Sequence, residues 1–250
     1  MDIDAFIDEI KKATSISILT GAGISTASGI PDFRGDDGFW KTNKPIYFKE
    51  FIHSEKKRIE SWKNNIALTK KLSEITFNTG HTLVNKILSL YRDNILITQN
   101  IDGLHQKAGT KTEKIIEIHG TALRANCLEC KKIFELQRFH TAIKFNKPVP
   151  DCDACSGLVK VATISFGQSM DPLKMQKAVH AVSQTDLLIV LGSSLVVQPV
   201  AGLPRIALEN GKRLVICNKE PTPFDIHANL VMNGNIEDLA NKILLSHVLD

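Results

Sequence analysis

Two apolar stretches of this chain end abruptly at polar residues that could do chemistry. Residues 95–97 are followed by Thr98-Gln99-Asn100-Ile101-Asp102, and residues 115–118 are followed by His119-Gly120. An apolar run that stops at polar residues is typical of a buried parallel strand whose carboxyl end opens into a ligand crevice. These strand ends therefore bring an amide, a carboxylate and an imidazole to one predicted site.

His119 is the candidate general base of this site, because an imidazole can accept a proton from a hydroxyl near neutral pH. A histidine before a glycine at a strand end can equally be structural. Asn100, Asp102 and Asp32 could surround a carboxamide, since recognition of an amide needs both a donor and an acceptor. As alternatives, Asp32 could cap a loop and Asp102 could be the N-cap of a helix. His105, one turn into that helix, is interpreted as secondary.

A glycine-rich turn, Gly21-Ala22-Gly23, follows the first predicted strand. The missing side chains would let backbone N–H groups approach a pyrophosphate, although Thr26 replaces the third glycine that is usual in dinucleotide loops. Taken alone, the turn is as compatible with a purely structural role. Two further polar strand ends, Gly192-Ser193-Ser194 and Asn218-Lys219, suit phosphate and ribose contacts. Three such ends along one crevice favour an extended nucleotide as ligand.

Four of the five cysteines form two C-x2-C pairs, Cys127 with Cys130 and Cys152 with Cys155. Two such pairs can close a tetrahedron of thiolates around Zn²⁺, and their spacing resembles that of zinc ribbons. Four thiolate ligands leave no open coordination position, so one structural zinc ion is expected. The alternative is four unrelated buried cysteines. Cys217 lies in an apolar strand and is expected to belong to the core.

These residues are positioned by predicted strands that alternate with predicted helices, which indicates an α/β fold. The alternation predicts a doubly wound parallel sheet broken by two insertions. Hydrophobic periodicity predicts helices over residues 3–13, 47–73, 81–90, 103–108, 172–183 and 236–245. Predicted strands cover residues 15–19, 94–98, 115–118, 187–191, 213–217 and 230–232.

The composition narrows the class of protein and its location. The chain has 250 residues, of which 43% are hydrophobic, enough for one large domain or one domain with a small satellite. Its net charge of +4 suits polyanionic ligands but is too small to indicate a nucleic-acid protein. No apolar run approaches the roughly 18 residues of a membrane span, and the acidic start Met1-Asp2-Ile3-Asp4 lacks signal-peptide features. We expect a cytoplasmic protein, a nuclear location being left open, with no membrane partner and no direct nucleic-acid partner.

The motifs, taken in order, resemble the sirtuin family of NAD-dependent protein-lysine deacylases over residues 15–245. The matching segments are Gly21-Ala22-Gly23-Ile24-Ser25, Ser28-Gly29-Ile30-Pro31-Asp32-Phe33-Arg34, Thr98-Gln99-Asn100-Ile101-Asp102, His119-Gly120, the four cysteines, Phe166-Gly167, Gly192-Ser193-Ser194-Leu195 and Val215-Ile216-Cys217-Asn218. The resemblance implies a Rossmann-like sheet with an inserted zinc-ribbon module and a small helical module.

The implied architecture is a single catalytic domain over residues 1–250. Its large Rossmann-like part would take residues 1–38, 81–120 and 160–250, with a helical insertion over 39–80 and a zinc module over 121–159. NAD and the acyl-lysine would enter the cleft between these parts from opposite sides.

The resemblance also implies the reaction and the roles of individual residues. The enzyme would deacetylate lysine in acylated proteins, consume NAD, and release nicotinamide and O-acetyl-ADP-ribose. His119, which would deprotonate a ribose hydroxyl, and Asn100 would be catalytic. The residues implied to bind NAD are Gly21, Ala22, Gly23, Ser25, Asp32, Phe33, Arg34, Gln99, Asn100, Ile101, Asp102, Gly192, Ser193, Ser194, Asn218, Lys219, Asn235 and Ile236. Two backbone strands would hold the substrate as an added strand, through Ile164, Phe166, Gly167, Leu195, Val196 and Val197.

Two departures from the family's pattern fall in the predicted substrate segment. Gln168 stands where the family commonly has glutamate, and residues 160–165 lack the proline that often precedes this strand. Both leave the preferred peptide and acyl group open, although no Tyr/Arg pair for acidic acyl groups can be placed in residues 38–41, which favours an apolar acyl group. The alternatives are a sirtuin-like mono-ADP-ribosyltransferase or NAD hydrolase, a long-chain deacylase, and a non-enzymatic zinc ribbon that binds a nucleic acid or a protein.

Overall fold

The computed structural model describes residues 2–31 and 45–246. Its strands are β1 (Ile16–Thr20), β2 (Ile95–Thr98), β3 (Ile115–Glu117), β4 (Gly120–Cys127), β5 (Ile133–Glu135), β6 (Val159–Thr163), β7 (Leu187–Leu191), β8 (Arg213–Asn218) and β9 (Leu230–Asn233). Six of them form a parallel sheet in the order β3-β2-β1-β7-β8-β9. The strand order reverses between β1 and β7, which is the topological switch point where open α/β sheets bind ligands.

Helices cover both faces of this sheet. They are α1 (Ile3–Lys11), α2 (Phe48–His53), α3 (Glu55–Glu74), α4 (Thr79–Leu90), α5 (Leu104–Lys107), α6 (Gln137–Lys144), α7 (Pro172–Gln184), α8 (Leu203–Glu209) and α9 (Ile236–Leu245). Helices α1, α4 and α9 share a core with one face of the sheet, and α7 and α8 with the other. This doubly wound arrangement confirms the predicted fold class. In the part of the chain described, no helix combines the length and apolar character needed to cross a membrane.

Side chains alternate between the two cores along each strand, which explains the clearest strand of the sequence. In β7, Ile189 belongs to the core under α1 and α4, and its neighbour Val190 belongs to the core under α7. A strand covered on both faces is apolar at every position. The continuous run Leu187–Leu191 therefore gave the strand its predicted bounds.

The single helix predicted over residues 47–73 was wrong, because two helices occupy this stretch. Ser54 lies between α2 and α3 with an extended backbone (φ −130°, ψ 113°), and its hydroxyl accepts a hydrogen bond from the N–H of Lys57 at 3.3 Å. Serine favours this N-cap position because its side-chain oxygen satisfies an N–H of the first turn. The apolar spacing continues through both helices, so periodicity alone did not reveal the break.

The second sheet is antiparallel, in the order β5-β4-β6, and is built around the cysteine region. Neither β4 nor β5 was predicted, and helices α6 and α8 were also missed. The second sheet packs against the helical insertion. Phe51 of α2 and Trp62 of α3 lie in one buried cluster with Cys127 and Cys152.

Trp62 is the main contact between the helical insertion and the cysteine region. Its ring centroid lies 4.9 Å from that of Phe139, and its indole N–H donates to the carbonyl of Val159 at 3.3 Å. A buried indole needs such an acceptor for its N–H. The two insertions, distant in sequence, therefore form one packed unit.

Candidate functional site

The glycine turns that follow β1 and β7 pack directly against each other. The N–H of Gly23 donates to the carbonyl of Gly192 at 2.9 Å. A side chain at Gly21 would meet that same carbonyl oxygen at 2.6 Å, and one at Gly192 would collide with the backbone nitrogen of Ile24. Glycine is thus required by the contact between the turns themselves. Together the turns form a continuous rim at the switch point of the sheet.

Asn100 lies at the centre of the predicted site, directly after β2. Its side-chain amide donates to the carbonyl of Gly21 at 3.2 Å and to the hydroxyl of Ser25 at 3.1 Å. Its Oδ1 is buried and has no hydrogen-bond partner within residues 2–31 and 45–246. Buried acceptors normally find a donor. This oxygen is therefore suited to an N–H group of a ligand.

Asp102 makes two hydrogen bonds of different kinds. Oδ1 accepts from the N–H of Leu104 at 2.9 Å, at the beginning of α5, and Oδ2 accepts from the hydroxyl of Ser25 at 2.8 Å. Burial raises the pKa of the Asp102 carboxyl, against the lowering effect of these hydrogen bonds. The carboxylate thus joins the turn after β1 to the end of β2 and accepts from the first residue of α5, but the N-cap residue is Gly103, so the N-cap alternative for Asp102 was wrong.

Two buried histidines lie beneath Asn100 and Asp102. His105 Nε2 is 3.0 Å from the Thr20 hydroxyl, which donates to Thr98 Oγ1 at 2.8 Å, and His81 Nε2 is 3.4 Å from the Ser25 hydroxyl. Burial lowers the pKa of His81 to about 4 and that of His105 well below its ordinary value. Both rings are therefore neutral at pH 7. His81 was not predicted to belong to the site. The sequence signal for buried polar groups here is limited to Thr20 and Thr98, the last residues of β1 and β2.

His119, which follows β3, is oriented by the chain at the end of β2. Its Nδ1 lies 3.1 Å from the carbonyl oxygen of Gln99. A carbonyl can only accept, so Nδ1 carries the proton and Nε2 is left as the basic nitrogen. Burial lowers the pKa of His119, and the hydrogen bond to Gln99 opposes this. The ring is therefore a neutral base near pH 7.

The predicted substrate segment lies next to His119, but it is not a strand. The N–H of Ile164 donates to the carbonyl of His119 at 2.9 Å, and the N–H of Gln168 donates to that of Ser165 at 2.9 Å. Gly167 has φ 77°, so the chain turns here, and β6 ends at Thr163. A left-handed residue interrupts an extended backbone, which is why this strand prediction was wrong.

The second predicted substrate strand, residues 195–197, is also irregular. Leu195 has φ 53° and is buried, whereas Val196 is half exposed. The N-terminal end of α2 approaches the first segment instead. The N–H of Phe48 donates to the carbonyl of Phe166 at 2.9 Å, and the ring centroids of Tyr47 and Phe166 are 6.0 Å apart.

Other predicted residues connect the remaining strand ends. The side-chain amide of Gln99 donates to the hydroxyl of Ser193 at 3.0 Å, which links β2 to the turn after β7. Asn218 instead bonds locally to the carbonyl of Glu220 at 2.7 Å, and Asn235 caps α9. The ends of β1, β2 and β7 are thus joined by side chains, and the side-chain amide of Asn233 at the end of β9 likewise donates to the carbonyl of Asn218 at the end of β8, at 3.5 Å.

The remaining predicted residues fall into two groups. Those at the carboxyl edge of the sheet are Ala22, Ile101, Ser194, Lys219 and Ile236. Those outside the described residues are Asp32, Phe33 and Arg34, together with region 38–41.

The four paired cysteines converge on one point of the second sheet. All four sulfur atoms lie within 4.8 Å of one another, with Cys127 and Cys155 at 3.4 Å and Cys130 and Cys152 at 3.6 Å. A tetrahedral zinc ion with Zn–S bonds of about 2.3 Å needs sulfurs roughly 3.8 Å apart. The donor set and its spacing fit one structural zinc ion. Cys217 is separate and buried in the main core, as predicted.

Residues 21–199 of the chain match the Sir2 family. The chain belongs to this family. A relative of this Sir2 protein from Rhodopseudomonas palustris, named NAD-dependent protein deacetylase, is 42% identical over 229 residues, or 92% of this chain and 90% of the relative. One from Bradyrhizobium diazoefficiens, named NAD-dependent protein deacetylase 1, is 43% identical with the same coverage.

Solved Sir2 structures are similar to this Sir2 protein over its full length. One described as Sir2 with a p53 peptide and NAD⁺ has a TM-score of 0.83 at 32% identity, and one bound to an acetylated peptide has a TM-score of 0.84 at 32% identity. A third, bound to a propionylated peptide, has a TM-score of 0.84 at 33% identity. Each comparison covers 100% of both chains. The resemblance on which the sequence interpretation rested is confirmed, as is the Rossmann-like fold with its inserted modules.

Proposed function

We propose that this Sir2 protein is an NAD-dependent protein-lysine deacetylase that releases nicotinamide and O-acetyl-ADP-ribose. Its relatives bear the name of that activity, and related structures hold NAD⁺ and acylated peptides. One observation carries the proposal for this chain. The carbonyl of His119 accepts the N–H of Ile164 at 2.9 Å, which connects the proposed base directly to the proposed substrate segment.

The NAD site that we propose runs along the rim of the sheet. The Oδ1 of Asn100, which has no partner among the described residues, supports it, because the nicotinamide end carries a carboxamide whose N–H groups need such an acceptor. The neighbouring carboxyl of Asp102 and hydroxyl of Ser25 supply further polar atoms at 2.8 Å from each other. The rest of the dinucleotide would extend along the rim that the turns after β1 and β7 form at the switch point of the sheet.

When bound, NAD supplies a ribose carbon from which nicotinamide can leave and a ribose hydroxyl that can accept the acyl group. His119 would take the proton of that hydroxyl at Nε2, since Gln99 holds the other ring nitrogen in its protonated form. Burial favours the neutral ring and so keeps this base ready at physiological pH. Asn100 would hold and orient the nicotinamide end, which is a positioning role.

The remaining proposals concern the domain organisation, the zinc ion, the location and the partners of the protein. We propose that the chain acts as one catalytic domain over residues 1–250 with the boundaries expected above, and that its zinc ion is structural because four thiolates leave no open position. We also propose a cytoplasmic location, since all five cysteines are free and four are gathered as metal ligands, as in a reducing compartment. The proposed partners are acylated proteins rather than nucleic acids.

The deciding experiment is mass spectrometry of an acetyl-lysine peptide incubated with the protein, with and without NAD. Loss of acetyl only with NAD, matched by equimolar nicotinamide and acetyl-ADP-ribose, is expected. Nicotinamide release with an intact peptide would contradict deacetylation and indicate ADP-ribosyl transfer, NAD hydrolysis or a longer acyl substrate, which acyl peptides of increasing length would separate. His119→Ala should abolish deacetylation while NAD binding is retained; unchanged activity would rule out its assigned role.

A further inference from the structure

Lys160 is a lysine almost completely enclosed by the protein. Its residue surface is 3% exposed, at the second position of β6, and its ammonium lies 5.8 Å from the ring centroid of Phe51 in α2. Its nitrogen donates to the carbonyl of Thr163 at 2.6 Å and to that of Val161 at 3.3 Å. Among the described carboxylates, none forms an ion pair with it. Enclosure of an amine is costly unless its hydrogen bonds are satisfied, and here backbone carbonyls satisfy them.

These carbonyls lie where the second sheet is irregular. Strands β4 and β6 pair at Ala125 with Val161 and again at Gly120 with Thr163. Between these pairs, residues 121–124 of β4 face the single residue Ala162 of β6. A bulge of this size interrupts the regular ladder, so buried carbonyls there need another donor. The side chain of Lys160 reaches forward along its own strand and supplies that donor.

The bonded carbonyl of Thr163 directly precedes the proposed substrate segment. The next residue, Ile164, donates its N–H to the carbonyl of His119. The peptide unit between Thr163 and Ile164 is thus held at both ends. Lys160 donates to its carbonyl oxygen, and the backbone carbonyl of His119 accepts its N–H. The ammonium of Lys160 lies over the ring of Phe51 in α2. The residues at the start of the same helix, Tyr47 and Phe48, contact Phe166 of the proposed substrate segment.

We propose that Lys160 is a positioning residue for the acyl-lysine substrate, which it aligns with His119 by holding the peptide unit that begins the substrate segment. The inference rests on the proposed deacetylase function. Burial lowers the pKa of Lys160 to about 7, and the neutral amine still carries N–H donors, so the hydrogen bonds persist in either form. The role requires a donor of this length, not a charge.

The test is steady-state deacetylation of an acetyl peptide by wild type, Lys160→Met and Lys160→Arg. The Met variant keeps the apolar stem and removes the donors, and it is expected to raise KM for the peptide about tenfold, with KM for NAD within about twofold of wild type. The Arg variant retains N–H donors and should restore the peptide KM to within about threefold of wild type. The affinity for the peptide without NAD should follow the same order.

The matched control is Lys114→Met. Lys114 also donates to two carbonyls, those of Leu88 at 2.5 Å and Tyr91 at 3.0 Å, but it lies at the amino end of β3, away from the site. It should lower the thermal midpoint without raising the peptide KM. If both Met variants raise that KM alike, or if folded Lys160→Met leaves it within twofold of wild type, the inference is overturned.

Two further provisions keep the result decisive. If Lys160→Met does not fold, Lys160→Leu, which also lacks a donor, takes its place, and a rise in the peptide KM supports the inference while an unchanged value overturns it. A wild-type protein that does not deacetylate the peptide with NAD contradicts the proposed function itself. An active wild type with an insensitive Lys160 contradicts only the positioning role.

Discussion

His119, the proposed general base, combines two opposing influences on one ring, and we expect their balance to set the pH dependence of the reaction. Burial disfavours the imidazolium and lowers its pKa below the ordinary 6.5, while the hydrogen bond to Gln99 opposes this. The base acts in its neutral form. We therefore expect the acidic limb of the kcat profile to have its midpoint below pH 6.5. A profile of kcat against pH at saturating NAD and peptide tests this.

The control for this profile is His119→Ala, in which any rate that remains should lack the acidic limb assigned to the ring. An acidic limb of the wild type centred above 6.5 would contradict the prediction, because it would mean that the folded protein favours the imidazolium. The sign also applies to stability. A histidine with a lowered pKa in the folded state stabilises the fold fully above 6.5 and progressively less as the pH falls below that value.

Single residues of the site were predictable when strand and chemistry coincided. Asn100 and His119 both follow apolar runs, so their position at the edge of the sheet followed from the pattern. His81 was not predictable, because its partner Ser25 is distant in sequence and only the packing of α4 under the turn brings the two together. Lys160 gave no signal in the sequence, since the bulge that it satisfies is a property of two paired strands.

At the scale of elements, the junction of β4 and β6 depends on a glycine. Gly120 has φ 78°, and a side chain there would collide with the carbonyl oxygen of Ala162. Gly211, in the turn before β8, has φ 69°, and no atom of the described residues would lie within 4 Å of a Cβ added there. Gly211→Ala should lower the unfolding free energy by roughly 1–2 kcal/mol, because only the left-handed backbone conformation disfavours alanine there. Gly120→Ala should cost at least about 3 kcal/mol, because the steric collision adds to it.

Urea unfolding of the two variants measures this difference directly. The matched backbone conformation makes Gly211→Ala the control for the left-handed strain, so the excess belongs to the collision alone. Equal losses would mean that β6 moves freely away from β4. That result would also weaken the view that the bulge is a rigid base for the substrate segment.

Elements were predictable where one strand or helix carried its own pattern. Strand β7 is apolar throughout because both faces are covered, and α9 begins at a capping asparagine and keeps its helical spacing to Leu245. Strand β5 has only three residues, and the pairing of β4 shifts register between Gly120 and Ala125, so neither carries a continuous alternation. Very short or interrupted strands leave little periodicity to detect.

At the scale of the whole molecule, a shared buried core couples the cysteine site to the helical insertion. Cys127 and Cys152 are buried in the cluster that also holds Phe51 and Trp62. Because folding and binding of a structural zinc ion are coupled, loss of one thiolate should loosen α3 as well as the cysteine region. For Cys127→Ser we expect loss of stoichiometric zinc and amide exchange about tenfold faster or more in α3.

Cys217→Ser is the control, because it alters a buried thiol of the main core and leaves the four clustered cysteines intact. It should retain zinc and leave exchange in α3 unchanged, even where it lowers the overall stability. Exchange that rises only around the cysteines in Cys127→Ser would mean that the insertions fold independently. Faster exchange in α3 would instead extend to α2, whose first residues contact Phe166. The structural metal would then affect deacetylation through the substrate segment, although it lies outside the reaction itself.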